Sequence, residues 1–131
     1  MPITIYHNPS CSKSRKTLEI IKEHGIEPRI VEYLKTPPDA ATLLKLANLL
    51  HVRVADLMRK GEPDYAAADR DRSLPQDGSL AVAEWLSGHP RVLQRPIVVD
   101  EERQLAVIGR PPEAVIGLLS EPAGESSAGF Q

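Results

Sequence analysis

Apolar positions along the chain follow two different periods. Ile3 to Tyr6 is a short β-branched and aromatic run ended by the turn formers His7, Asn8 and Pro9, so it predicts a strand followed by a loop. From Ser12 to His24 the period changes: Thr17, Leu18 and Ile21 share one helical face, and Gly25 supplies a stop. Arg29 to Leu34 is again strand-like. A strand, helix, strand order with so short a crossover predicts a parallel βαβ unit.

The middle of the chain is helical in pattern. Thr36 is placed to cap a helix that has Pro37 at its first position and Leu43, Leu46, Ala47 and Leu50 on one face. Val54, Leu57 and Met58 mark a shorter amphipathic piece closed by Gly61, and Val82, Trp85 and Leu86 mark another closed by Gly88 and Pro90. Beyond this insertion, spanning 36–91, Pro96 introduces the apolar run Ile97 to Val99. Asp100 to Glu102 turn the chain, and Leu105 to Ile108 supply a hairpin partner. Pro111 and Pro112 are expected to start a last helix through Leu119. Residues 121–131 carry too few apolar side chains to dock, and are expected to form a flexible tail. The expectation is one α/β domain over 1–120, with a helical insertion between an N-terminal βαβ unit and a C-terminal ββα unit.

Composition narrows the function. Sixteen basic against eighteen acidic residues leave no global field for nucleic acid or an anionic membrane, so any anion site must be local. The apolar runs are far too short for a membrane span, and no export signal follows Met1, which points to the cytosol. The chain has a single Cys, so it cannot form an internal disulfide, and a redox cycle would need an external thiol.

That thiol, Cys11, lies where a strand hands over to a helix, within the polar run His7 to Arg15. A free Cys of pKa about 8.5 is only roughly 3% thiolate at pH 7. Backbone N–H groups and the helix dipole would favour the anion there, with Lys13, Arg15 or protonated His7 adding to the effect. Ser12 and Ser14 are candidate donors to the sulfur, against the plainer role of satisfying backbone. Spacing removes two chemistries: a C-x-x-C dithiol needs Cys where Ser14 stands, and a phosphatase-type Cys-x5-Arg loop needs Arg where Thr17 stands. The four His lack ligand spacing and neither usual Gly-rich phosphate loop is present, so no bound metal or nucleotide cofactor is expected.

The run His7-Asn8-Pro9-x-Cys11-x-x-Ser14-Arg15 after an opening strand resembles the signature of the glutaredoxin-dependent arsenate reductases. The similarity continues through Glu32-Tyr33-Leu34, Thr36-Pro37-Pro38, Leu57-Met58-Arg59-Lys60, Arg95-Pro96-Ile97-Val98-Val99 and Gly109-Arg110-Pro111, covering roughly residues 3 to 119. The loop form Pro-Ser-Cys-Ser-Lys-Ser looks more like a housekeeping-type branch than the operon-encoded resistance enzymes. The resemblance implies a thioredoxin-like fold, a nucleophilic Cys11 helped by His7, three oxyanion-binding arginines (Arg59, Arg95 and Arg110) and a cis Arg95-Pro96 bond. Paired guanidinium hydrogen bonds suit a tetrahedral oxyanion meeting a thiolate in a way that Lys does not. Arg53, Arg70, Arg72, Arg91 and Arg103 are read as solvated charges. The implied activity is reduction of arsenate through a Cys11 thioarsenate adduct, with glutathione and glutaredoxin as external thiol partners. Two alternatives share the fold: a glutathione-linked thiol oxidoreductase without an arsenate role, and a non-enzymatic redox regulator that binds RNA polymerase. Those regulators usually carry a C-x-x-C pair.

Overall fold

The computed structural model describes residues 2–75 and 78–119. The elements run β1 (Ile3–His7), α1 (Ser12–Glu23), β2 (Arg29–Glu32), α2 (Ala40–Leu50), a 3-10 turn at Val54–Leu57, α3 (Pro63–Arg70), α4 (Ser79–Ser87), a second 3-10 turn at Pro90–Val92, β3 (Ile97–Asp100), β4 (Leu105–Ile108) and α5 (Ala114–Leu119). The strands form one sheet in the order β2-β1-β3-β4. β1 and β2 are parallel, with Tyr6 opposite Val31, while β3 runs antiparallel to both β1 and β4. The expected βαβ unit and hairpin are both present, and the fold is thioredoxin-like. No helix among the described residues is long and apolar enough to cross a membrane.

Side chains alternate across a strand, so a continuous apolar run makes sense only where both faces are covered. Val98, Ile3 and Ile5 pack with Ile20, Ile21, Val115 and Leu118 from α1 and α5. Ile97, Val99 and Tyr6 face the other way, into a cluster with Leu43, Leu46, Leu57, Val82 and Leu86 from the helical stretch. The helices between β2 and β3 are therefore the second covering layer of the sheet, and β3 is buried along its whole length.

Three boundaries and one helix differ from the sequence reading. Helix α2 starts at Ala40 with Asp39 as its cap, accepting the Thr42 backbone N–H at 2.8 Å, and not at Thr36 and Pro37. The reason is the pair Pro37-Pro38, since a residue before proline is driven out of the helical region. The buried Pro38 instead offers its carbonyl to the Ser87 hydroxyl at 2.7 Å. Pro111-Pro112 delays α5 to Ala114 in the same way. Strand β2 ends at Glu32, whose carbonyl accepts from Lys35 and Thr36 in a turn, leaving Tyr33 and Leu34 outside the strand. Helix α3 was not expected, because its PDYAAADR sequence buries only Ala68 and shows little periodicity. The expected tail at 121–131 lies outside the described residues.

Candidate active site around Cys11

Cys11 is the N-cap of α1, one residue before its first turn, with extended φ and ψ of −97° and 122°. Its amide donates to the Asn8 carbonyl at 3.0 Å and its carbonyl accepts from Arg15 at 2.9 Å, so the strand-to-helix turn is closed on both sides of the thiol. No acidic residue occupies the first turn of α1 to compete with a thiolate there. Partial burial alone would raise the Cys11 pKa. The Ser14 backbone N–H, the Arg95 guanidinium and the Lys13 backbone N–H outweigh it, and the thiol is held below its ordinary value.

Two of the expected helpers act differently. His7 ends β1 and is buried. Desolvation lowers its pKa, with Glu32 opposing and Arg15 and Lys22 acting in the same direction as burial, so the site disfavours the protonated ring. Its Nδ1 lies 2.7 Å from the Ser14 hydroxyl, which also accepts the Asn8 backbone N–H at 3.0 Å. Ser14, with no exposed surface, thus ties the end of β1 to the first turn of α1. Its own amide, more than its hydroxyl, serves the sulfur. Lys13 likewise contributes through its backbone, and the Arg15 guanidinium donates to the Pro9 carbonyl at 2.9 Å.

The three arginines singled out in the sequence come together around Arg95. A cis Arg95-Pro96 bond sets Arg95 directly before β3, and a second cis bond, Arg110-Pro111, follows β4. Arg110 donates to the Arg95 carbonyl at 3.4 Å. Arg59 is brought in by backbone pairing of 57–59 with 92–94: Met58 bridges Leu93, the Arg59 amide reaches the Val92 carbonyl at 2.6 Å, and the Gln94 amide reaches Leu57 at 2.7 Å. Gly109 fits this crossing because a Cβ there would stand 2.6 Å from the Thr17 Oγ1 of α1 and 2.9 Å from the Pro96 Cγ.

Sequence reasoning missed Glu62. Its carboxylate lies 3.5 Å from Arg59 and 4.0 Å from Arg95, and the Glu62 side chain is 20% exposed. Its signal was present, an acid three residues after Arg59 and immediately before a Pro that starts a helix. Tyr33 was missed too. Its ring is fully buried, and its hydroxyl faces Asn8 and Arg95 without a hydrogen bond of good geometry; burial first of all raises its pKa. Arg95 Nε is also buried and has no acceptor among the described residues. Asn8, Tyr33, Leu34, Glu62, Arg91 and Arg95 line a recess of about 100 Å³. A larger hollow of about 530 Å³, lined by residues such as Tyr6, Arg29, Lys45 and Glu101, shares none of these side chains.

One arginine read as a solvated charge is not one. Arg103 Nε donates to the buried Asp100 carboxylate at 2.6 Å, and the same guanidinium reaches the Leu118 carbonyl. Asp100 closes β3 and ties α5 to it. It is not merely a turn residue.

Residues 6–117 match the ArsC family. The chain is 44% identical over 119 residues to the Escherichia coli K12 protein designated "Uncharacterized protein YfgD", covering 89% of this chain and 96% of that one. It is 39% identical over 119 residues to an Escherichia coli arsenate reductase, covering 91% of this chain and 82% of the other. An arsenate reductase from Vibrio cholerae superposes with a TM-score of 0.79 at 38% identity, over 88% of this chain and 96% of its own. With the thiol at a helix cap, the cis Arg95-Pro96 bond and these similarities taken together, the chain belongs to the ArsC family.

Proposed function

We propose that this protein is a cytoplasmic arsenate reductase in which Cys11 is the nucleophile and glutathione and glutaredoxin supply the reducing electrons. The observation that carries the reading is the Arg95 guanidinium beside the sulfur, which favours a thiolate and at the same time offers charge to an incoming oxyanion. Arg59, which shares the Glu62 carboxylate with Arg95, and Arg110, which reaches the Arg95 carbonyl, supply further guanidinium donors. Beside Arg95, the recess of about 100 Å³ lined also by Asn8, Tyr33, Glu62 and Arg91 has the size for a small inorganic anion, since organic ligands occupy pockets of roughly 300 Å³ and more. Relatives named arsenate reductase, matched over most of the chain, favour arsenate as that anion.

In the first step the Cys11 thiolate forms an S–As bond as one As–O bond breaks, and that oxygen leaves as water after protonation. With no second thiol in the chain, glutathione attacks the adduct. Its thiolate bonds the Cys11 sulfur as the S–As bond breaks, so the electron pair passes to arsenic, arsenite departs and Cys11 is left in a mixed disulfide with glutathione. A glutaredoxin thiolate then takes the glutathione as a new disulfide and frees the Cys11 thiolate. Ser14 and His7 position the thiol loop, and no bound cofactor takes part. The test is arsenate-dependent NADPH oxidation with glutathione, glutaredoxin and glutathione reductase. Cys11→Ser should abolish it, and Arg95→Ala should lower kcat/KM on the order of 10²-fold, as for loss of one oxyanion donor. A wild type inert to arsenate but active on glutathione mixed disulfides would instead identify a thiol oxidoreductase.

A further inference from the structure

Glu62 is an unusual neighbour for an anion site. Its carboxylate lies within reach of two of the three guanidinium groups proposed to hold the oxyanion, and it lines the same recess as Arg95. Its place is fixed at the backbone: the Glu62 amide donates to the Arg59 carbonyl at 3.1 Å, and the residue caps α3 ahead of Pro63. A site evolved only to attract negative charge would not keep a carboxylate there. An acceptor between donors has a different use, because it can take a hydrogen bond from a ligand that carries a proton and repels one that does not.

Resting on the reading that the Cys11 site takes a tetrahedral oxyanion, we propose that Glu62 is a specificity-determining residue that accepts the hydroxyl of a protonated oxyanion. Arsenate and phosphate keep at least one proton at neutral pH, whereas sulfate is fully deprotonated. With a proton available, Arg59 and Arg95 bond the ligand's bare oxygens while Glu62 takes its O–H. With none, two anionic oxygens face each other in a partly desolvated recess, and binding fails. Glu62 thus selects for protonation state as well as shape.

Because Cys11 is the only thiol, its alkylation rate by iodoacetamide reads occupancy of the site without requiring turnover. Protection by inorganic phosphate, arsenate and sulfate is compared at neutral pH, each against the unliganded rate of the same variant. In the wild type, phosphate and arsenate should protect at concentrations at least tenfold below sulfate. In Glu62→Gln, whose amide can donate to a bare oxygen, that gap should shrink at least tenfold; in Glu62→Asp, which keeps the charge, the preference order should remain. Should the amide variant not fold, Glu62→Ala carries the same expectation. Equal protection by sulfate in the wild type, or an unchanged gap once the carboxylate is removed, overturns the role of Glu62 and leaves the oxyanion site standing. No protection by any of the three anions overturns both.

Discussion

The Nδ1 of His7 and the Oγ of Ser14 lie 2.7 Å apart, joining the last residue of β1 to the third residue of α1 across the thiol loop. Neither side chain has surface to spare, and the same serine oxygen holds the Asn8 amide. Ser14→Ala leaves both buried partners short of a hydrogen bond, so it should cost roughly 1–3 kcal/mol of stability in urea unfolding. A double-mutant cycle with His7→Ala should show coupling of about 1 kcal/mol, as expected of directly bonded residues.

The same bond predicts a pH dependence. Burial lowers the His7 pKa, so the unfolded chain takes up this proton more readily than the folded one. The stability contributed by the neutral ring is complete above about pH 6.5, the ordinary histidine value, and declines as pH falls through the lower folded value. Comparing the urea midpoint of wild type and His7→Asn between pH 7 and 5 should show the loss in the wild type only.

Asp100 sets a second, more acidic window. Burial would raise its carboxyl, but the Arg103 amide and guanidinium and the Glu102 amide outweigh this and hold its pKa low. A depressed carboxylate gives stability that is present above about pH 4 and lost as pH falls through the folded pKa. Asp100→Asn should cost about 3 kcal/mol at pH 7, since it removes the buried carboxylate charge that Arg103 pairs with, and should flatten the acid limb of the unfolding profile below pH 4.

Arg95 predicts a shift in thiol reactivity. The Cys11 alkylation profile should inflect below the ordinary thiol value in the wild type and move upward in Arg95→Ala, because a hydrogen bond and a nearby positive charge are both removed. An unmoved inflection would mean that the helix-cap amides of Ser14 and Lys13 alone account for the thiolate.

Gly109→Ala should destabilise by roughly 1–3 kcal/mol through overpacking, because its Cβ would stand 2.6 Å from the Thr17 hydroxyl. Thr17→Ala in the same chain should recover part of that loss. Simple additivity in thermal unfolding would count against the contact.

The βαβ unit and the hairpin were legible from the period change at Ser12 and from the short apolar run Ile97 to Val99 after Pro96, whereas the helical insertion did not reveal in sequence that it covers the second face of the sheet. What periodicity could not supply were the starts of α2 and α5, where a proline pair looked like a helix cap but acts as a delay, and α3, which buries one alanine. At the site, Cys11 and the arginines were legible as motifs. Glu62 and Tyr33 were not, because their importance lies in which side chains surround them, and that is set by the pairing of 57–59 with 92–94. Arg103 misled for a related reason: an exposed-looking cation after a turn reveals nothing of the buried carboxylate three residues earlier.

The backbone pairing that carries Arg59 alongside Arg95 also divides the site between two kinds of structure. Cys11 caps α1 just after β1 and Arg95 lies just before β3, two strands buried along their whole length, while Arg110 follows the more exposed β4. Arg59 and Glu62 arrive from the helical layer, on a turn that a few substitutions would reshape without touching the sheet. Cys11 and Arg95 are thus held against buried strands while Arg59 and Glu62 come from the second covering layer, so substitutions around 59–62 can change the surroundings of Arg95 and leave the strands beneath the thiol loop untouched.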